Sequence, residues 1–411
     1  MPAEWPRARL RECFSLGRSA IVPALFPGEQ FEHYSIPAFD DSGGAAIELG
    51  ASIESNKMLL DRPAVLVSKL NPRKPRVVLV DGPAGRRRCA STEWMVYIPT
   101  TEAIVLGFYR WYLGHSGFQR ALERVASGST NSHVRVRPPE TLGWWIDSPP
   151  VVEQRHIADI LDTVDDAIRQ TERVITKLEQ VKAGMLQDLL TRGIDDNGAV
   201  RDPERHPEQF KDSPLGRIPK GWRSTTLGEV ADYINGFAFK PHHWRESGLP
   251  IIRIAQMLDP LESVDRCPVA IPERHVVQDG ELLFSWSATL AVVVWDRGPA
   301  LVNQHIFRVV PRGGTHRNFL YHLLSASMDR LAAQSHGTTM KHVTRGDLLP
   351  FAVVIPPEDE QHRIAERLDQ HEAQVRREGE TLAKLRATKQ ALADDLLTGR
   401  IRVNPREAVP A

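Results

Sequence analysis

The sequence predicts an α+β chain: two globular α/β halves, each followed by one long coiled-coil helix, the whole duplicated once. Three observations carry this: an internal repeat, a heptad stripe inside it, and short strand-like runs between the copies. Segment 149–194 (PPVVEQRHIADILDTVDDAIRQTERVITKLEQVKAGMLQDLLTRGI) aligns without a gap on segment 356–401 (PPEDEQHRIAERLDQHEAQVRREGETLAKLRATKQALADDLLTGRI). The copies share P-P, E-Q, I-A, L-D, K-L and D-L-L-T, which marks a duplication.

Each copy reads as one helix. Pro149-Pro150 and Pro356-Pro357 suit a first turn, where a missing N–H costs little. Glu153 and Glu358 to Glu360 favour the positive end of the helix dipole, and Gly193 and Gly399 close the two copies. Apolar residues alternate by four and three. They are Ile157, Leu161, Val164, Ile168, Ile175, Leu178 and Leu189 in the first copy. In the second they are Ile364, Leu368, Val375, Leu382, Leu385, Leu392 and Leu396. Polar interruptions match: Thr171 with Glu378, and Lys182 with Lys389. A sustained 3.5-residue period argues coiled coil, with the polar positions setting register. The alternative is two amphipathic helices packed on separate cores. A helix of about 40 residues spans about 60 Å, the length of a spacer.

The segments ahead of the helices are weakly related. Trp5-x4-Leu10-x-Glu12 matches Trp222-x4-Leu227-x-Glu229, Ile36-Pro37 resembles Leu249-Pro250, and Val65–Ser68 resembles Leu282–Ser285. Gly128-Ser-Thr-Asn-Ser-His133 matches Gly337-Thr-Thr-Met-Lys-His342. Strands are predicted at 77–80, 95–98, 251–254, 282–285, 291–295 and 306–310, and helices at 102–125 and 317–334. The Pro-, Gly- and charge-rich stretch 195–221 reads as a linker with turns, not a core element. The expected domains are 1–148, the helix 149–194, a linker 195–218, 219–355, the helix 356–401 and a tail 402–411.

Composition narrows the class. The 411 residues hold 52 Lys+Arg and 52 Asp+Glu, with 41% hydrophobic and 25% charged residues. That fits a globular protein and excludes a uniformly basic nucleic-acid binder. Cys13, Cys89 and Cys267 are far apart and form no C-x-x-C pair, so a reducing compartment is expected. No apolar run is long enough for a membrane span, and no secretory leader is visible. No P-loop, G-x-G-x-x-G, H-E-x-x-H, cysteine–histidine cluster or G-x-S-x-G elbow occurs, so no catalytic or metal site is expected. Asp147-Ser-Pro-Pro150 superficially resembles an Asp-Pro-Pro-aromatic methyltransferase box, but its Pro-Pro recurs as a helix start.

Local features suit DNA. Arg62, Lys69, Arg73, Lys74, Arg76, Arg86, Arg87 and Arg88 stand against the single acid Asp81. Lys69, Asn71, Arg73, Lys74 and Arg86 to Arg88 fall in loops beside strands, where they could neutralise phosphates or reach guanine edges. A solvated basic face is the competing reading. The paired loops Ser129, Thr130, Asn131, His133 and Thr338, Thr339, Lys341, His342 offer donors to phosphates and base edges. Arg253, Gln256, Ser285, Trp286, Thr289 and Gln304 add similar groups, with Trp286 either stacking on nucleic acid or packing half-buried. His242-His243 reads as a surface pair.

The motif P-P-x-x-E-Q-x-x-I-A-x-x-L-D, the terminal D-L-L-T and the linker R-D-P-E-R-H-P-E-Q-F-K-D-S-P-L-G-x-I-P-x-G-W together resemble the specificity subunit of type I restriction–modification systems. The first half departs most: Leu10-Arg-Glu-Cys13 stands where the second half has Leu227-Gly-Glu-Val230. The resemblance implies two target-recognition domains separated by two antiparallel helices, with pseudo-two-fold symmetry. Each domain would read one half of a bipartite, asymmetric DNA site. The helices would set the spacer and dock methyltransferase subunits, two per chain, through exposed residues such as Arg155, Arg169 and Lys177. A restriction translocase subunit could join. The chain itself would be a non-catalytic cytoplasmic prokaryotic subunit without cofactor, S-adenosylmethionine residing on the methyltransferase. The alternatives are a coiled-coil adaptor without DNA specificity and a self-contained DNA adenine methyltransferase or nuclease.

Overall fold

The computed structural model describes residues 5–82, 85–127, 134–334 and 343–403. Those up to Glu172 and from Glu380 onward form one compact unit, and Arg173–Gly379 form the second. Cys13, Cys89 and Cys267 are buried and unbonded.

In the first unit, β1 (Arg7–Arg9) is followed by β2 (Phe14–Leu16), β3 (Ala64–Ser68), β4 (Val77–Val80) and β5 (Trp94–Pro99). Helices α1 (Leu106–Gly114) and α2 (Ser116–Val125), strand β6 (Trp145–Asp147) and the long helix α3 (Val151–Thr191), whose residues up to Glu172 belong to this unit, follow. Strands β2, β5, β3 and β4 form an antiparallel sheet in that order, and β1 pairs separately with β6. Val65, Val67, Met95 and Tyr97 alternate toward a core shared with Phe108, Tyr109, Ile157 and Leu161.

The second unit repeats this connectivity. Its strands are β7 (Arg223–Thr226), β8 (Ala231–Asn235), β9 (Leu282–Ser285), β10 (Ala291–Val294) and β11 (Ile306–Pro311). Helix α4 (Arg317–Gln334), strand β12 (Ala352–Ile355) and the long helix α5 (Glu358–Leu396) follow. The sheet order is β8, β11, β9, β10, and β7 pairs with β12. Each unit adds a second sheet, of five strands in the first and four in the second, around one parallel pair: Gln30–Tyr34 beside Arg87–Ala90, and Leu249–Ile252 beside Ala300–Val302. The duplication predicted from the helices therefore extends through both globular parts.

The heptad stripe forms as spaced. Ile157, Leu161, Ile168, Leu189, Ile364, Leu368 and Leu396 are buried. Val164, Ile175, Leu178, Val375, Leu382, Leu385 and Leu392 are half-buried. Helix pairing is antiparallel within each unit. Arg386 reaches Glu172 at 2.7 Å while Lys389 pairs with Asp165, and Lys182 pairs with Glu372 while Glu360 accepts from the Ile194 amide. Lys182 and Lys389, the polar interruptions, thus form cross-helix ion pairs, which is how a charged seam position selects one register. The separate-core alternative is also partly realised, since the helix ends join the globular cores.

The shared Glu-Gln dipeptide has a structural reason. Glu153 accepts from the Trp5 indole at 3.0 Å and from Arg402 at 2.7 and 2.8 Å. Its repeat Glu360 accepts from Trp222 at 3.1 Å and Arg201 at 2.5 and 3.2 Å. Gln154 caps α1 by accepting from Val105 N at 2.9 Å, and Gln361 holds His316 N at 2.8 Å, one residue before α4. Burial opposes ionisation of Glu153, but Arg402 and Trp5 more than offset it and hold the carboxyl below its usual value.

Three expectations change. The stretch 195–221 contains a hairpin, Phe210–Ser213 against Gly216–Pro219, and Phe210 and Ile218 are buried. Its turn residues are the corners of a hairpin whose apolar positions face inward. The helix expected over 102–125 is two helices, broken where the His115 ring, at Nδ1, accepts from Gly117 N. Ile36-Pro37 opens the helix Ile36–Ser42, whereas Leu249-Pro250 opens a strand, so those residues are not structural counterparts.

Candidate nucleic-acid interface

In the first unit the basic stretch is largely neutralised from within. Lys74 and Arg76 share Asp40 at 3.0 and 2.7 Å, which holds that carboxyl far below the usual carboxylate range. Arg87 grips Glu29 and lies 4.0 Å over Phe26, and Arg88 pairs with Glu32 at 2.7 Å. The exposed Arg86 donates to a neutral group, Gln30 Oε1, at 3.0 Å. Arg62, Arg86, Arg87 and Arg88 line a cleft of about 890 Å³ with Glu29 and Asp61. Among the described residues Arg62 and Arg86 are its cations without an ion-pair partner, the groups able to displace phosphate counterions.

The β3–β4 loop carries Lys69, Asn71, Arg73 and Lys74. Lys69 O accepts from Val136 N at 3.0 Å, and Asn71 N donates to Val134 O at 2.9 Å. Asn71 adopts a left-handed φ of 47°, which its short polar side chain tolerates. This loop therefore lies against the segment that immediately follows Ser129, Thr130, Asn131 and His133. Those four lie outside the described residues, as do Thr338, Thr339, Lys341 and His342.

The second unit repeats the juxtaposition. Val343 N donates to the carbonyl of Trp286, in the β9–β10 loop, at 3.0 Å. Trp286 Nε1 donates to Gln304 O at 3.2 Å, and its ring sits 5.3 Å from His305. Trp286 is half-buried, while Thr289 and Gln304 are exposed. Two expected contacts face inward instead, and a third, Arg253, is half-buried and engaged by the chain's own side chains. Ser285 is fully buried and its hydroxyl donates to Thr289 O at 2.5 Å. Gln256 is buried; it accepts from Arg253 N and donates to Ser263 O at 2.6 Å. Arg253 pairs with Asp265 at 2.8 Å and stacks 5.2 Å over Trp244. A polar residue type near a strand end does not reveal that its partner is the chain's own backbone.

One surface escaped the sequence reading. Phe237 N donates to Val302 O at 2.7 Å and Gln304 N donates to Phe237 O at 3.0 Å, fixing segment 236–240 beside Gln304. Only glycine fits at 236, because a Cβ there would lie 2.1 Å from Asn303 O. Phe237, Phe239 and His243 pack edge to face at 5.0 to 5.9 Å, and the tilted His242 ring lies 4.1 Å from His243. Desolvation first, then His242, Lys240 and Arg245, lower the His243 pKa. Aromatic faces interleaved with cations are the composition that grips nucleic acid. The run Gly-Phe-Ala-Phe-Lys was the available signal.

One described group has metal-binding spacing: His322, Asp369 and Glu372. His322 Nε2 faces Asp369 at 2.8 Å while Nδ1 faces Glu372 at 4.0 Å, and Lys182 already occupies Glu372. The two ring nitrogens point at different acids, so the arrangement is a hydrogen-bonded histidine beside the Lys182–Glu372 ion pair. No helix among the described residues is long and apolar enough to cross a membrane.

These features define a class: an internally duplicated α+β scaffold whose two units present loop surfaces built alike on shared helices. Residues 219–387 match the family model of the type I restriction modification DNA specificity domain. The chain is 25% identical over 274 residues to the type I restriction enzyme MjaVIII specificity subunit of Methanocaldococcus jannaschii, covering 63% of this chain and 62% of that protein. It is 30% identical over 191 residues to the Escherichia coli EcoBI specificity subunit, covering 45% and 40%. The chain thus spans less than two thirds of the length of the curated relatives it matches. The type I S subunit structure from M. genitalium shares the fold, with TM-score 0.61 and 13% identity over 96% of both chains. The resemblance to type I specificity subunits, first carried by the helix and linker motifs, is thereby shown. Such subunits are in general non-catalytic.

Proposed function

We propose that this chain is the DNA-reading subunit of a type I restriction–modification assembly. The observation that carries the reading is the repeated juxtaposition of a β-hairpin loop with the exit of a polar segment: residues 69–74 beside 134–136, and Trp286 beside Val343. Each unit reads its own half-site, and because the loops differ the half-sites differ. In the first unit Lys69, Asn71, Arg73, Arg62 and Arg86 carry the contacts, with 129–133 adjoining them in sequence. In the second, Trp286, Thr289, Gln304 and the loop 236–245 do so, with 338–342 adjoining.

The long helices fix the spacing of the half-sites and dock methyltransferase subunits, which supply S-adenosylmethionine chemistry in a prokaryotic cytoplasm. The chain contributes recognition rather than bond making. Arg155 and Lys177 are exposed on α3 and available to a partner, whereas Arg169 is engaged by Asp165 and Asp166. The test is exchange of residues 1–148 or 219–355 for those of a relative, read by mapping methylated adenines in cells holding the whole system. Each exchange should change one half-site and leave the other unaltered. Simultaneous change of both, or no dependence of methylation on this chain, would defeat the proposal.

A further inference from the structure

The β1–β6 ribbon sets Arg9 opposite Trp145 and Arg7 opposite Asp147. The Arg9 guanidinium lies 4.2 Å over the Trp145 indole, yet the indole stays 50% exposed. Beside it runs α2, which sends Phe118 and Leu122 into the core and leaves Arg120 and Arg124 along the rim of a groove of about 750 Å³. Tyr112, Trp144 and Leu397 complete an apolar lining.

We propose that this groove docks an acidic protein segment that carries an apolar anchor. Asp147 is the one acid among its lining residues, and it stands 4.0 Å from Arg7. Arg9 is engaged with Gly143 O, while Arg120 and Arg124 have no acid within ion-pair distance among the described residues. Elsewhere exposed arginines such as Arg169, Arg192 and Arg312 do find acids. The groove is therefore a cationic rim around an aromatic floor, left for an external anion to neutralise. Trp, Tyr and Arg are the residues that dominate protein–protein interfaces. A concave apolar floor suits an inserted side chain, whereas a duplex backbone is gripped by projecting cations. The matching ribbon of the second unit sets Thr226 opposite Ala352 and Ser224 opposite Val354, so the four positions equivalent to Arg9, Trp145, Arg7 and Asp147 carry no cation or aromatic ring, and its one cation, Arg223, stands opposite Ile355. The partner accordingly binds the first unit alone.

The test is a calorimetric titration of the full chain with a short peptide of glutamates around one phenylalanine. Controls are its all-glutamine analogue and short single- and double-stranded oligonucleotides. The acidic peptide should bind at least about tenfold tighter than the analogue. Arg120→Glu with Arg124→Glu should weaken it by about tenfold or more, and Trp145→Ala likewise. The thermal transition should not move in the arginine variant, since both side chains lie at the surface. No binding, equal binding of the two peptides, or insensitivity to these variants overturns the proposal. Displacement of the peptide by an oligonucleotide that needs the same arginines assigns the groove to nucleic acid and overturns it too.

Discussion

Replacing Glu360 by alanine should unfold the second unit far more readily than its single charge suggests. The Glu360 carboxylate accepts from Trp222 Nε1 at 3.1 Å, the Ile194 amide at 3.0 Å, and Arg201 at 2.5 and 3.2 Å. The residue is 4% exposed. Alanine strands two buried neutral donors, at about 1–3 kcal/mol each, and leaves a mostly buried guanidinium unpaired. Breaking a buried pair from one side costs about 3–5 kcal/mol, and that is the expected loss for Glu360→Ala. Glutamine keeps the volume and one acceptor oxygen, so Glu360→Gln should cost about 1–3 kcal/mol. Urea unfolding followed by tryptophan fluorescence measures both, with a midpoint shift on the order of 1 M for alanine. Glu153→Ala should behave alike in the first unit, because Trp5 and Arg402 reproduce the arrangement. A loss below about 1 kcal/mol for either alanine variant, or equal losses for glutamine and alanine, would show that these carboxylates do not hold the unit together.

Four further outcomes are expected. Lys182→Met should destabilise by about 1–3 kcal/mol through the uncompensated Glu372, and adding Glu372→Leu should recover most of it, as a double-mutant cycle would show. Burial holds His322 below its ordinary pKa, against the pull of Asp369 and Glu372. Its unfolded form takes a proton near pH 6.5, so stability is full above that value and falls as pH drops below it; His322→Gln should flatten that limb in unfolding curves. In the assembled system, Arg86→Ala should lower the salt slope of DNA affinity by about one, measured by titration at several ionic strengths. Arg88→Ala should instead act chiefly on stability, through Glu32.

The long helices were legible because a 3.5-residue period is a local property. The expected 149–194 and 356–401 bracket the observed Val151–Thr191 and Glu358–Leu396. The helix over 317–334 was legible as well. Strands as short as Ala20–Ile21 and Val276–Val277 hold too few residues to show any period. The basic run could be seen but not its neutralisation, since Asp40 and Glu29 lie 36 and 58 residues from Arg76 and Arg87. The Glu-Gln repeat was equally visible, yet its purpose depends on Trp5, 148 residues before Glu153. Ser285 and Gln256 were misjudged because residue type gives a hydrogen-bonding capacity without saying which way it points.

One feature of the chain path bears on how the molecule is made. The first unit takes its core from the earliest residues and from Leu396 and Leu397, and its Glu153 waits for Arg402. The second unit is a single continuous stretch, Arg173–Gly379. Synthesis therefore delivers a complete second unit while the first still exposes its sheet and the Ile157–Leu161 seam, so the earlier-made half stays open on the ribosome until residues 396–402 have emerged. A circular permutant that joins residue 403 to residue 5 and starts within 195–210 would reverse the schedule, making the first unit contiguous and leaving the second to wait.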